Sequence, residues 1–169
     1  MAVNSDSVLP ADLVDLARQV VEANLAAGRQ VAVAESCTGG LVCAALTEIP
    51  GSSAVLDRGF VTYSNGAKHE LLDVPNDIIE AFGAVSPAAA WAMAQGALKH
   101  SDADVAVSIS GIAGPGGGSE LKPVGTVVFA RALRSDIEHV DAEQKLLDGK
   151  SRGAIRYEAA MIALRMLLP

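Results

Sequence analysis

Aromatic side chains are scarce in this chain: 169 residues hold one Trp, two Tyr and three Phe. With half the residues hydrophobic, the core must therefore be built from Ala, Val, Leu and Ile, as in α/β proteins whose helices pack closely on a sheet. Basic residues are also short, 13 Lys and Arg against 20 Asp and Glu, for a net charge of -7. That balance excludes the basic surface needed by nucleic acid or an anionic membrane. It leaves room for a phosphorylated small molecule, which a few backbone amides and one or two cations can hold. The two cysteines, Cys37 and Cys43, are six residues apart and fall on different sides of a helix, so no disulfide is expected between them. His69, His100 and His139 are scattered, and no metal-ligand spacing exists, so no metal is expected. No apolar run approaches membrane-spanning length, and the first six residues lack a basic region followed by an apolar one. The expectation is a soluble, cytoplasmic protein with no nucleic-acid or membrane partner.

The length predicts a single domain over residues 10–169 behind a flexible lead-in at residues 1–9. Leu13, Leu16, Ala17, Val20, Val21 and Leu25 recur at helical spacing, and Gly28 ends that helix. A short β-branched strand follows at residues 30–34, then a buried helix at 41–46. Residues 54–63 read as a strand with Val55, Phe60 and Val61 as its apolar members. Short helices are expected over residues 67–72 and from Val74 to Phe82. Ser86 and Pro87 open a longer helix with Ala90, Trp91, Ala94, Ala97 and Leu98 on its buried stripe. Residues 105–110 form a strand, and 124–132 and 137–146 a hairpin. A last helix over residues 151–168 buries Ile155, Ala159, Ile162, Ala163 and Met166. Early alternation of helices and strands with a late hairpin predicts a three-layer α/β/α sandwich around a mixed sheet.

Three segments carry residues that packing does not explain, and each follows a predicted strand, where ligands collect in open α/β sheets. The first is the turn at Ser36, Cys37, Thr38, Gly39 and Gly40, between a strand and a helix. Unpaired amides at a helix N-terminus can hold a phosphate or an oxyanion, although Ser36 and Thr38 can equally be plain caps. The second runs from Tyr63 to Lys68. Lys68 reads either as a solvated helix residue or as a base with a lowered pKa, since Ser36 needs a base and has no histidine near it in sequence. Tyr63 is positioned to assist that proton, or is a half-buried aromatic. The third is the glycine-rich loop from Gly111 to Gly118, which matches neither the Walker A spacing, because Lys122 comes too late, nor the dinucleotide fingerprint. It reads as a close-approach binding loop or a surface loop. Cys37, beside a helix start, is a competing nucleophile.

Together, Ala34-Glu35-Ser36-Cys37-Thr38-Gly39-Gly40, Tyr63-Ser64-Asn65-x-Ala67-Lys68 and Gly111-Ile112-Ala113-Gly114-Pro115-Gly116-Gly117 resemble the CinA C-terminal domain family, from about residue 12 to the last helix. The Val85-Ser86 helix entry and Lys122-Pro123-Val124-Gly125 are also similar to the family. The resemblance implies hydrolysis of the carboxamide of nicotinamide mononucleotide to nicotinate mononucleotide and ammonia, without a cofactor. It assigns Ser36 as nucleophile, Lys68 as general base and Tyr63 as third catalytic residue. Substrate contacts are expected at Thr38, Gly39, Gly40, Ser110, Gly111, Ala113, Gly114 and Arg152. Ser110 stands where the family usually has Thr, and Gly149-Lys150-Ser151-Arg152 replaces the usual Gly-Asp-Arg. The resemblance further implies a stand-alone form of a domain often joined to a larger one, and a homo-oligomer. A non-catalytic nucleotide- or partner-binding module of the same family is the alternative.

Overall fold

Two strands buried along their whole apolar length set the frame. In the computed structural model, which describes residues 7–169, β1 (Val31–Glu35) and β3 (Val105–Gly111) lie side by side and parallel at the centre of a five-stranded sheet. Residues 1–6 of the expected lead-in fall outside the described residues. β2 (Leu56–Val61) joins β1 in parallel at one edge. On the other side β4 (Thr126–Leu133) and β5 (Asp136–Leu146) add an antiparallel hairpin, giving the order β2-β1-β3-β4-β5.

Alternation along the strands divides the core in two. Val31, Val33, Val105, Val107, Ile109, Val127 and Phe129 point to a layer made by α1 (Ala11–Ala26), α2 (Leu41–Thr47) and α6 (Arg152–Met166). The alternate residues Ala32, Ala34, Ala106, Ala130 and Ala132 face α5 (Pro87–Lys99), beside α3 (Asn65–Leu72) and α4 (Asn76–Phe82). The small side chains on that face let α5 lie close to the sheet, which is why so few aromatics suffice. The mixed sheet with helices on both sides is the three-layer architecture expected. No helix among the described residues is long and apolar enough to cross a membrane.

Serine caps open three of the six α-helices described. Ser64, Ser86 and Ser151 each accept the backbone N–H three residues on, capping α3, α5 and α6. Several expected boundaries move, among them the starts of α3 at Asn65 and α4 at Asn76. The strand expected from residue 124 begins at Thr126, because Gly125 sits at φ 98 and a side chain there would collide with the Leu147 carbonyl. The strand expected over residues 54–63 opens as a 3₁₀ turn, Ser52–Ala54, and ends at Val61, leaving Tyr63 in the loop beyond. Trp91, Ile162 and Met166 are half-buried rather than buried, and Val61 is exposed on an edge strand. The carboxyl ends of β1, β2 and β3 share one edge of the sheet, and the N-terminus of α6 arrives there too.

Candidate active site

β1 delivers Ser36 to that edge, where the Ser36 amide continues the sheet by donating to the Ile109 carbonyl at 2.9 Å. The chain then turns through Gly39 at φ 61 and Gly40 at φ 98 into α2. The amides expected to be open at this helix start are taken. Glu35, fully buried at the end of β1, accepts from Gly40 and Val42 on Oε2 at 3.0 and 3.2 Å and from Cys43 on Oε1 at 2.9 Å. A carboxylate inside the fold thus satisfies both the helix end and itself, as a buried charge must. In the turn, the Cys37 and Thr38 amides alone have no protein acceptor among the described residues.

α3 brings up the amine. Lys68 is buried, and its Nζ donates to the Thr62 carbonyl at 2.8 Å and to Ser36 Oγ at 2.9 Å. Burial pushes its pKa below the usual 10.5, against a smaller opposing pull from Cys37. A neutral amine at this distance from a hydroxyl can accept its proton. Cys37 also reaches the cavity, but burial raises its thiol pKa to about 11. Burial thus works against a thiolate here, and Lys68 Nζ bonds to Ser36 Oγ rather than to the thiol.

Ser36 and Lys68 line a cavity of about 280 Å³ with Cys37, Tyr63, Asn65, Ala84, Val85, Ser110, Gly111, Ala113 and Arg152. Tyr63 stands at the mouth with 63% of its surface exposed, and its hydroxyl accepts from Arg152 Nη2 at 3.0 Å rather than bonding to Ser36 or Lys68. Arg152 also donates through Nη1 to the Gly114 carbonyl at 2.7 Å, so it ties the glycine-rich loop to Tyr63. Ser110 is buried and donates to the Ala84 carbonyl at 2.8 Å, which fixes the opposite wall. Of the residues singled out by sequence, Thr38, Gly39, Gly40 and Gly114 do not line the cavity. Thr38 is fully buried, with its hydroxyl unpartnered. Sequence reading quoted Glu35, Asn65 and Val85 within its motifs without giving them a role, and named neither Ala84 in the wall nor Arg156 behind it. Arg156 donates from Nε to the Cys37 carbonyl and from Nη2 to the Thr38 carbonyl, both at 3.0 Å. A larger cavity of about 460 Å³, between β5 and the end of α6, is lined by Arg131, Asp141, Glu143 and Arg165 among others and holds no paired nucleophile and base.

The model of the CinA C-terminal domain matches residues 13–169. The nicotinamide-nucleotide amidohydrolase PncC of Enterobacter agglomerans is 51% identical over 154 residues, covering 91% of this chain and 92% of that protein. Other curated relatives are longer: the chain spans 33% of the CinA-like protein of Akkermansia muciniphila, which is 47% identical over 139 residues, or 82% of this chain. Among solved structures, the competence/damage inducible protein CihA of Agrobacterium tumefaciens superposes with a TM-score of 0.91 at 48% identity, over 95% of this chain and 96% of that one. A match running from within the first helix to the last residue, with a superposition that covers nearly both chains, means that the chain belongs to the CinA C-terminal domain family.

Proposed function

We propose that this chain hydrolyses the carboxamide of nicotinamide mononucleotide, yielding nicotinate mononucleotide and ammonia. The observation that carries the reading is Lys68 Nζ at 2.9 Å from Ser36 Oγ, both buried at one cavity. Neutral Lys68 takes the Ser36 proton while Oγ bonds to the carboxamide carbon and the carbonyl pair moves onto oxygen. The Cys37 amide, at the cavity wall and left without a protein acceptor among the described residues, receives that oxyanion. Lys68 returns the proton to the nitrogen, the C–N bond breaks, and ammonia leaves. Water activated by the same amine then frees the acyl group as a carboxylate. Arg152, at the mouth with Tyr63 against its guanidinium, meets the phosphate; Ser110, Gly111 and Ala113 form the wall beside the ring and ribose. Tyr63 assists by fixing Arg152 and covering the substrate, and Thr38, Gly39 and Gly40 by shaping the turn. The PncC relative, named for this activity and matched over nearly its whole length, supports the same substrate class.

The test is ammonia release from nicotinamide mononucleotide by the wild type, Ser36→Ala and Cys37→Ala. Turnover is expected in the wild type, to persist in Cys37→Ala and to fall by about 10⁴-fold or more in Ser36→Ala. Near-native release from Ser36→Ala would overturn the covalent route. Tight nucleotide binding by a wild type that releases no ammonia would favour the binding-module reading.

A further inference from the structure

Arg156 lies outside the cavity and has no part in the reading above, yet it grips the turn that presents Ser36. It stands four residues after Arg152, on the same face of α6. A peptide group is planar and trans, so fixing its carbonyl also fixes its N–H, pointing the opposite way. The turn can therefore be accounted for one peptide at a time. The Ser36–Cys37 carbonyl accepts the Gly39 amide at 3.0 Å, which sets the direction of the Cys37 N–H. Arg156 Nε holds the Cys37–Thr38 carbonyl at 3.0 Å, which sets the Thr38 N–H. The next carbonyl, of Thr38, is shared by Arg156 Nη2 at 3.0 Å and the Leu41 amide at 3.2 Å. The Gly40 amide goes to Glu35 at 3.0 Å. A carboxylate takes the amides on the helix side and a guanidinium takes the carbonyls on the other. Of the two N–H groups left between them, that of Cys37 belongs to a residue lining the cavity, while Thr38 is fully buried.

We propose that Arg156 is a positioning residue: its hold on the Cys37 and Thr38 carbonyls fixes the turn so that the Cys37 N–H, at the cavity wall, meets the oxyanion formed when Ser36 Oγ attacks a carboxamide. The inference rests on Ser36 as nucleophile, so its test includes a readout that does not require turnover. A pyridine boronic acid adds to a serine hydroxyl, giving a tetrahedral boronate with an oxygen in the oxyanion position. Adduct formation is followed by boron NMR in the wild type, Arg156→Gln and Arg156→Lys, alongside kcat and KM for nicotinamide mononucleotide. In Arg156→Gln, kcat is expected to fall about 10²-fold at little-changed KM, and boronate affinity to weaken by a similar factor. Arg156→Lys keeps the charge but lacks the planar fork, and should fall between. If Arg156→Gln does not fold, the lysine variant decides on the same two readouts.

Unchanged boronate affinity in the variants, or a loss confined to KM or to melting temperature, would overturn the assignment. So would a wild type that forms no adduct. A wild type that binds boronate in an Arg156-dependent way but releases no ammonia from nicotinamide mononucleotide would reject the proposed substrate and leave the role of Arg156 standing.

Discussion

As the proposed base, Lys68 has two opposed requirements, since a base must be neutral and a lysine in water is not. The fold meets them by burial, which holds its pKa below the ordinary 10.5. The same shift fixes the sign of a pH dependence. Between its lowered folded pKa and the unfolded value, the unfolded chain binds more protons at this position, so stability rises with pH across that window. Below the folded pKa the buried ammonium carries its full cost. Activity follows the neutral form, so kcat/KM for ammonia release should climb with pH through a midpoint clearly below 10.5. Lys68→Arg, which cannot deprotonate, should lose about 10²–10⁴-fold. A midpoint at or above the ordinary lysine value, in an otherwise active enzyme, would count against Lys68 as the base. Sequence made Ser36 and Lys68 legible, because a serine on a strand–turn–helix junction needs a proton acceptor. Glu35 left a signal that went unread, an acid closing an otherwise apolar strand just ahead of a helix. Arg156 left none, since its partner Cys37 is 119 residues away and only folding brings them together.

At the scale of elements, the position of Lys68 is the position of α3. Ser64 fixes the helix start, and Asp73, at φ 55, closes its end with a salt bridge to Lys99 at 2.6 Å and a hydrogen bond with His100 Nε2 at 2.8 Å. Between α3 and α5 the contact is backbone on backbone. A side chain at Gly96 would sit far inside van der Waals contact with the Leu72 carbonyl, one helical turn beyond Lys68. Intrinsic propensity favours Ala over Gly in a helix by about 1 kcal/mol. Overpacking costs about 1–3 kcal/mol, and against a main-chain carbonyl with little room to yield the upper part of that range applies. Gly96→Ala should therefore lower the melting temperature by about 2–6 °C. Ammonia release should fall with it, because relief of the clash moves α3 and draws Nζ from Ser36. A variant that melts higher than the wild type with full activity would show that the seam is loose. Helices such as α5 were readable because Ser86 and Pro87 announce a start and the alanine stripe keeps helical period. Strand neighbours were not, because placing β1 between β2 and β3 depends on crossovers that no local pattern records.

Across the whole molecule, α6 couples the site to the opposite end of the fold. Its N-terminal turns carry Arg152 to Gly114 and Arg156 to the Ser36 turn. Its 15 residues at about 1.5 Å each put its other end roughly 22 Å away. There the Leu167 carbonyl accepts from Asn24 Nδ2 at 3.0 Å and Arg29 Nη2 at 2.8 Å, and Arg29 Nε donates to Asn24 Oδ1 at 2.8 Å. Cations at a helix C-terminus are favoured by its dipole, and Arg131, donating to the Leu168 carbonyl at 3.4 Å, adds a second. Asn24 is the centre of this latch: fully buried, it also donates to Val20 at 2.8 Å and so joins α1 to the end of α6. Asn24→Ala removes three hydrogen bonds at once and leaves Arg29 Nε without its acceptor. At about 1 kcal/mol net for each bond, the loss is about 2–3 kcal/mol, or some 4–12 °C in melting temperature. Because the latch fixes how far α6 reaches along its own axis, the effect should extend to the site. Well below the melting point, kcat for ammonia release should drop several-fold, as Arg156 loosens on the Cys37 carbonyl. Amide hydrogen exchange should quicken along the last turn of α6 and in the turn after Ser36, while the α5 side of the sheet stays protected. Faster exchange confined to the C-terminal end of α6, with kcat intact, would mean that the latch stabilises the fold without tuning the site, and that α6 is stiffened by its packing on α1, α2 and the sheet.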